Sequence, residues 1–175
     1  PVQLTSFCDV SPVCRRQLLR HLQPAHVFPD AHSVSPPNTF QDDMPFDMKY
    51  YLINSSPLLT TLWCDRCQAD CQMPLSAFEV IGSPCQPYSS AGVSAGLDDP
   101  RASVIISWAK LHRSLGTPLM VHENVCAFPA KLVAWMLPDH DVICIELEPA
   151  DVGFGLVARK RQFLICGHRT KVCFT

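Results

Sequence analysis

Residues 78–92 read Phe-Glu-Val-Ile-Gly-Ser-Pro-Cys-Gln-Pro-Tyr-Ser-Ser-Ala-Gly, an apolar run followed by a cysteine in a loop rich in Pro and Ser. The run Phe78–Gly82 predicts a strand, and Cys85 then lies on the loop that leaves it. A later apolar run ends in His122-Glu123-Asn124-Val125. In an open α/β sheet, ligands bind at the carboxyl ends of the strands, so we expect Cys85 and Glu123 at one edge. A thiolate nucleophile beside an acid is an arrangement suited to covalent catalysis.

Size and composition indicate one globular domain. The chain has 175 residues, of which 47% are hydrophobic and 17% are charged, and this balance fits a packed core rather than a disordered tail. No apolar run is long enough to span a bilayer. The start at Pro1 lacks the features of a signal peptide and an initiating Met, so we expect that Pro1 is not the native N-terminus.

The ten cysteines bear on the cellular compartment. Several of them, such as Cys144 and Cys166, lie inside apolar runs, where a free thiol behaves as a small hydrophobic group. This favours a reducing compartment, the nucleus or the cytoplasm.

The charge balance bears on partners. The net charge is −2, whereas an autonomous nucleic-acid binder needs clustered Lys and Arg for phosphate contacts. The only basic clusters are Arg15-Arg16 and Arg159-Lys160-Arg161. If the chain acts on DNA, most of the basic surface must be supplied from elsewhere.

Strands and helices alternate along the chain. The opening predicts a strand over residues 2–8, a helix capped by Ser11 with Pro12 at its first position, and a strand over residues 25–28. Later patterns predict strands and helices in turn up to a strand over residues 170–174. The alternation predicts an α/β fold with a mostly parallel sheet covered by helices on both faces. Residues 42–51 and 56–63 are each predicted as short helices.

Three short motifs carry a family resemblance. Pro84-Cys85-Gln86 with Ala91-Gly92, then Glu123-Asn124-Val125, then Arg159-Lys160-Arg161 occur in this order, each at a predicted strand boundary. In order and spacing they resemble the motifs of the DNA (cytosine-5) methyltransferase family. The resemblance implies a Rossmann-like S-adenosylmethionine-dependent fold, S-adenosylmethionine as cofactor and DNA as partner. The alternative is a Rossmann-like domain with a buried cysteine and chance triplets.

The resemblance also implies roles for individual residues. It assigns catalysis to Cys85, Glu123, Arg159 and Arg161. It assigns cofactor binding to Asp9, Val10, Asp30, Ala31 and Pro84. It assigns nucleic-acid contacts to Gln86, Ser89 and Ser90. For Glu123 a helix-capping role with Asn124 stays open, and for the two arginines a solvated position at a strand end stays open.

The chain departs from the family pattern in ways that shape the expected domain. The family's glycine-rich cofactor turn would lie before Pro1, so we expect residues 1–175 to be a partial catalytic domain lacking its first strand. We expect an insertion at 33–76 and no target-recognition region. A missing segment or a second chain would supply both the glycine-rich cofactor turn and target recognition. Ser83 stands where the family often has Pro.

Three cysteines in the insertion raise the question of a metal. Cys64, Cys67 and Cys71 have a spacing that could begin a zinc site, but structural zinc needs four ligands. No fourth Cys or His follows before Cys85, and His32 is far away in sequence. We therefore predict no metal and interpret the cluster as free thiols on a helix turn, with the three cysteines as weak candidate ligands.

Two other functions remain open from the sequence. A non-catalytic scaffold could keep the methyltransferase fold and lose cofactor binding, and the missing glycine turn favours it. The presence of Cys85, Glu123 and Arg161 together disfavours it, because a scaffold has no need of a thiol and an acid at adjacent strand ends. An RNA substrate is the third interpretation.

Overall fold

The strand that carries the Pro-Cys-Gln loop lies at one end of a four-stranded sheet. The computed structural model describes residues 3–89, 92, 94–155 and 158–174. In these residues the strands are β1 Ser6–Cys8, β2 His26–Phe28, β3 Thr61–Cys64, β4 Ala69–Gln72, β5 Phe78–Gly82, β6 Leu119–Asn124, β7 His140–Leu147 and β8 Arg161–His168. The α-helices are α1 Pro12–His21, α2 Phe46–Ser55, α3 Val104–Leu115 and α4 Ala130–Met136.

The four-stranded sheet has the order β5-β6-β8-β7 and is mixed in direction. Strands β5 and β6 run parallel, whereas β8 runs antiparallel to both of its neighbours, β6 and β7. A mostly parallel sheet is therefore not what the described residues form. The reversal matters for the site, because β8 begins at the edge where β6 ends.

The hydrophobic core lies on one face of this sheet. Alternate residues such as Met120 and Leu164 are fully buried there, and they pack with the buried face of α3 and with α4. Helix α3 ends at Gly116, which has the left-handed φ of 59° that a helix C-cap requires. Covering this face buries enough apolar area to hold the sheet and helices together.

The opposite face of the sheet carries apolar side chains that stay exposed in the described part of the chain. They are Phe78, Val80, Ile143, Ile145 and Leu147. The expected cover of helices on both faces is thus observed on one face only among the described residues.

The strands at the start of the chain form a separate pair. Strands β1 and β2 are parallel, with Cys8 in register with Phe28, and among the described residues they form a two-stranded sheet of their own. Helix α1 connects them and begins as predicted, with the Ser11 side chain accepting a hydrogen bond from the amide of Cys14.

The predicted insertion contains a helix and a hairpin. Helix α2 forms near the first predicted helix, but the second prediction was wrong, because residues 61–64 are strand β3, paired antiparallel with β4. The helix turn predicted for the cysteines is the turn of this hairpin. Trp63 and Leu62 point to opposite faces, as the exposure of the first and the burial of the second show, and this alternation fits a strand.

Two further findings concern residues 170–174 and the length of the helices. The strand predicted over residues 170–174 is absent, since that segment is turn and irregular structure. Among the described residues no helix has both the length and the apolar character to cross a membrane.

Candidate active site

The Cys85 loop is fixed to the neighbouring strand by a buried polar group. Ser83, the first residue after β5, bonds through Oγ to His122 Nε2 at 2.8 Å and accepts from Asn124 Nδ2 at 2.9 Å. Asn124 Nδ2 also reaches the Ser83 carbonyl at 3.2 Å. His122 is fully buried, and burial lowers its pKa to about 4. His122 is therefore a neutral anchor for the loop at pH 7.

Cys85 lies three residues beyond the end of β5, in a tight turn. Its carbonyl accepts a hydrogen bond from the amide of Tyr88 at 3.0 Å, and its side chain is half-buried. Tyr88 packs edge-on against Phe128 with ring centroids 5.0 Å apart. The loop therefore has its own aromatic support.

Arg101 is the cation near this thiol. Its guanidinium binds the buried carboxylate of Asp99, with Nε to Oδ1 at 2.8 Å and Nη2 to Oδ2 at 2.6 Å. These hydrogen bonds raise the pKa of Arg101, and the negative charge of an ionised Cys85 adds to that shift. Arg101 was not identified as a site residue from the sequence.

Glu123 and Arg161 form an ion pair at the carboxyl edge of the sheet. Arg161 Nε lies 3.0 Å from Glu123 Oε1, and both side chains are mostly enclosed. Glu123 is the penultimate residue of β6 and is paired with Gly82 of β5. Arg161 reaches it because β8 is antiparallel and starts at this edge. Glu123 is therefore a strand residue and does not cap a helix.

A cavity opens beside this ion pair. Its volume is about 320 Å³, and it is lined by Glu123, Arg159 and Arg161 together with Leu147, Glu148, Pro149, Val152 and Phe163. Arg159 therefore lines the same cavity as Glu123 and Arg161, two of the other predicted catalytic residues. Cys85 does not line this cavity, although its strand is the direct neighbour of β6.

The two predicted cofactor acids lie at one edge of the β1–β2 pair. The amide of Asp9 donates to the carbonyl of Phe28 at 3.2 Å, so Asp9 and Asp30 follow strands that end together. Asp9 Oδ1 accepts from the amide of Ser11 at 2.7 Å, and Asp30 Oδ1 accepts from that of His32 at 2.8 Å. Each carboxylate uses Oδ1 for its own turn, and Oδ2 is the oxygen that can accept from a ligand.

The thiol of Cys8, at the end of β1, has a raised pKa. Desolvation, then the charges of Asp30, Asp9 and Glu79, raise the pKa of the Cys8 thiol to about 12. Glu79 belongs to β5, so its influence indicates that Cys8 lies near that strand.

Space for a ligand also exists next to Asp30. A cavity of about 630 Å³ is lined by Asp30 and by residues of the following segment, including His32, Phe40 and Leu59. Ala31 begins the single-turn helix that follows Asp30, and Val10 is largely exposed. A carboxylate such as Asp30 can accept hydrogen bonds from hydroxyl and amine donors.

The predicted nucleic-acid contacts lie on the Cys85 loop. Gln86 is exposed and Ser89 is half-buried, and Pro84 is half-buried between Ser83 and the thiol. Ser90 falls outside the described residues.

The three cysteines of the insertion lie elsewhere, at the β3–β4 hairpin. The described residues bring Cys64, Cys67 and Cys71 together there, with His26 of β2 beside them. The group is a separate cluster and contributes nothing to the ion pair of Glu123 and Arg161.

Comparison with protein families identifies the segment that carries this site. Residues 67–133 match the family described as C-5 cytosine-specific DNA methylase. The resemblance to the cytosine-5 methyltransferases is confirmed. The matched segment contains Cys85 and Glu123, and it ends before Arg159 and Arg161. A comparison with curated protein sequences gives no match.

One solved structure shares the fold of this chain, and another is less similar. The Dnmt2 methyltransferase of S. pombe superposes with a TM-score of 0.54 at 12% identity, covering 99% of this chain and 44% of that one. The Entamoeba histolytica methyltransferase EhMeth gives a TM-score of 0.43 at 19% identity, with coverage of 95% and 53%. The chain therefore spans about half the length of these two methyltransferases or less, and the S. pombe likeness shows a shared fold.

Proposed function

We propose that this chain is part of an enzyme that transfers a methyl group to C5 of cytosine in DNA through a covalent adduct of Cys85 with C6. The observation that carries the proposal is the Glu123–Arg161 ion pair, 3.0 Å long, at the sheet edge next to the Cys85 loop. A strand-end acid held by a cation beside a nucleophile is an arrangement with a chemical use and no evident structural need.

The nucleophilic step requires the Cys85 thiolate. Its sulfur forms a bond to C6 of the ring, and the electron pair of the C5–C6 double bond moves onto C5 and toward N3. Glu123 in its protonated form would donate a hydrogen bond to N3 and so offset the negative charge that develops on the ring, and the proton would stay with Glu123 when the ring regains its double bond. Arg161 orients Glu123, and Arg159 in the same cavity can bind O2, the carbonyl oxygen of the base.

When bound, S-adenosylmethionine would supply the electrophilic methyl group that C5 takes up, and the electrons of the broken sulfur–methyl bond would stay on the cofactor's sulfur. The C5 proton then passes to a base, the C6–sulfur bond breaks, and its electrons return to the Cys85 sulfur. The thiolate is thereby regenerated, and the methyl group remains on C5.

Cofactor binding is proposed to need more than these residues. Asp9 and Asp30 can accept from the ribose and adenine, and we assign further cofactor contacts to Val10, Ala31 and Pro84. The amino acid part of the cofactor requires the glycine-rich turn that this sequence lacks. We infer that a further segment or a second chain supplies the turn, the first strand and target recognition, completing the domain that residues 1–175 form in part.

The nucleic acid imposes its own requirements. A cytosine inside a duplex must leave the base stack to reach the half-buried thiol and the acid. Gln86 and Ser89 lie on the loop that would meet the emptied position, and we assign Ser90 the same role from its place in the sequence. The net charge of −2 leaves phosphate binding to a basic surface outside these residues.

The first prediction tests the nucleophile in the full-length protein. Cys85→Ser should abolish methyl transfer, because a hydroxyl is a far weaker nucleophile than a thiolate. Cys144→Ser should retain it, since Cys144 is exposed on β7. Activity is measured with DNA containing cytosine, and covalent capture with DNA containing 5-fluorocytosine, from which no C5 proton can leave.

Several outcomes separate this proposal from its alternatives. Full activity in Cys85→Ser would exclude the covalent mechanism. A wild-type protein that binds DNA but neither transfers methyl groups nor forms the adduct would favour the scaffold. Transfer to RNA but not to DNA would overturn the substrate while retaining the mechanism.

A further inference from the structure

Four potential metal ligands converge at the junction of β2 with the β3–β4 hairpin. One ligand atom from each of His26, Cys64, Cys67 and Cys71 lies within 4.8 Å of all the others. Cys64 Sγ is 3.9 Å from His26 Nδ1, and Cys67 Sγ is 4.0 Å from the same nitrogen. A chain segment remote in sequence thus supplies the fourth ligand that the cysteine spacing lacks.

These separations match a tetrahedral zinc ion. Zinc–sulfur bonds of about 2.3 Å and zinc–nitrogen bonds of about 2.0–2.1 Å place the corners of the tetrahedron roughly 3.5–3.8 Å apart. The sulfur–nitrogen distances are a few tenths of an ångström longer, so small side-chain rotations bring the atoms onto an ion. Three thiolates and one imidazole form one of the ligand sets of structural zinc.

The backbone around Cys64 is arranged as a metal-binding turn. Cys64 ends β3 and Ala69 begins β4, and between them Gln68 adopts a left-handed φ of 52° while its amide donates to the Cys64 carbonyl at 2.9 Å. This tight turn brings the sulfur atoms of Cys64 and Cys67 to one side. The amide of Val27 donates to Cys64 Sγ at 3.4 Å, the kind of support that orients a thiolate ligand.

The hairpin is also held against the opening of the chain by other contacts. The Asp65 amide donates to the Val27 carbonyl at 2.8 Å, and the Asp65 carboxylate pairs with Arg15 of α1 at 2.6 Å. The ligands from the two segments are therefore already in place before an ion binds, which lowers the cost of binding.

A disulfide satisfies this cluster less well than an ion does. Joining two of the three thiols leaves the third beside the disulfide and His26 with no partner of its own. An ion engages all four side chains at once and offsets the charge of three thiolates. Cys64 is fully buried, and an uncompensated thiolate there is costly.

We propose that His26, Cys64, Cys67 and Cys71 bind one structural zinc ion that fastens the β3–β4 hairpin to β2. The expectation of no metal, made because no fourth ligand follows Cys71 in sequence, is replaced by this proposal. The ion would stiffen the strand that leads to Asp30, and it would act independently of methyl transfer.

Metal analysis of the purified chain tests the proposal. We expect about one zinc per chain in the wild type, and a strong loss of zinc in Cys67→Ser and His26→Ala. Matched controls are Cys144→Ser, an exposed thiol on β7, and His21→Ala, an exposed histidine on α1. Both should keep the full zinc content.

Two measurements on the wild type guard against variants that fail to fold. Replacement of zinc by cobalt should give the intense visible absorption of a tetrahedral thiolate site, and a chelator should lower the unfolding temperature in a way that added zinc reverses. A wild type without bound metal, one that binds iron or copper instead, zinc retained in Cys67→Ser, or a disulfide among the three cysteines by mass spectrometry would each overturn the proposal.

Discussion

Gly92 lies so close to the backbone of Gln86 that no side chain fits between them. A Cβ at this position would collide with the Gln86 carbonyl oxygen and come within 3.1 Å of Gln86 Cα. The amide of Gly92 also donates to the carbonyl of Ser89 at 2.9 Å. The glycine of the Cys85 motif therefore serves to close the loop, a use that does not depend on its φ.

The second prediction follows from this contact. Gly92→Ala should push the Gln86 backbone away, shift Cys85 and lower the rate of methyl transfer by roughly 100-fold, the cost of about an ångström of misplacement. The unfolding free energy should fall by about 1–3 kcal/mol.

Gly155 provides the matched control, because an added Cβ there meets nothing within 4 Å. Gly155→Ala should leave both the rate and the stability unchanged. Equal activity in the two variants would show that the loop conformation does not control the nucleophile.

Ser83 departs from the family pattern, and in the structure its side chain makes buried hydrogen bonds. It stands where the resembling family often has Pro. In the structure its hydroxyl joins His122 and Asn124, both almost fully buried. A Pro has no such hydroxyl, so this chain fixes the start of the Cys85 loop by a polar network in place of a rigid ring.

At the scale of elements, the sheet has one face that is packed and one that is exposed. Leu164 on β8 is fully buried, whereas Ile143 on the adjoining β7 is 42% exposed. Val142 pairs with Cys166, and Ile143 pairs with Ile165, the residue that follows Leu164. Leu164 and Ile143 therefore lie on opposite faces of the sheet, and they differ in what they contribute to stability.

The third prediction compares these two positions. Leu164→Ala should lower the unfolding free energy by about 2–5 kcal/mol, because it leaves a cavity in the packed core. Ile143→Ala should cost less than about 1 kcal/mol, since part of the side chain is already in water. Urea unfolding of both variants measures the difference. A cost at Ile143 equal to that at Leu164 would show that another segment covers the exposed face in solution.

At the scale of the whole molecule, buried histidines link stability to pH. Burial, with a smaller effect of His140, lowers the pKa of His112 to about 4, and burial lowers that of His122 to about 4. Burial raises the pKa of Glu79 to about 7. Glu79 Oε1 lies 4.0 Å from His112 Nε2.

The signs of these shifts oppose one another. As the pH falls below about 6.5, the unfolded chain protonates both histidines while the folded chain does not, so stability falls. As the pH falls from about 7 to about 4.5, folded Glu79 takes up its proton first, so stability rises. Two histidines outweigh one carboxyl, and the sum is a loss of about 2 kcal/mol near pH 4.5.

The fourth prediction is that urea unfolding shows this loss between pH 7 and pH 4.5. Glu79→Gln removes the opposing contribution, so its loss over the same interval should be larger, about 5 kcal/mol. An identical pH dependence in the two proteins would indicate that Glu79 is not protonated preferentially in the folded state.

Local chemistry controls the parts of this protein that the sequence analysis predicted correctly. The Ser11-Pro12 helix start and the strands before Cys85 and Glu123 follow from propensity and periodicity within a few residues, whereas the order of the motifs carries the family resemblance. The resemblance carried by those motifs was confirmed on residues 67–133. The catalytic roles of the individual residues remain predictions.

Contacts between residues that are far apart in sequence could be identified only in the folded chain. Sequence periodicity does not give strand direction, so it could not show that β8 is antiparallel and brings Arg161 to Glu123. It also could not find His26, which precedes the cysteines and approaches them only because β2 packs on the hairpin. The cause is the same in both cases. Register and packing depend on the folded sheet as a whole, and side chains form an ion pair or share a metal ion only when they lie close together in space.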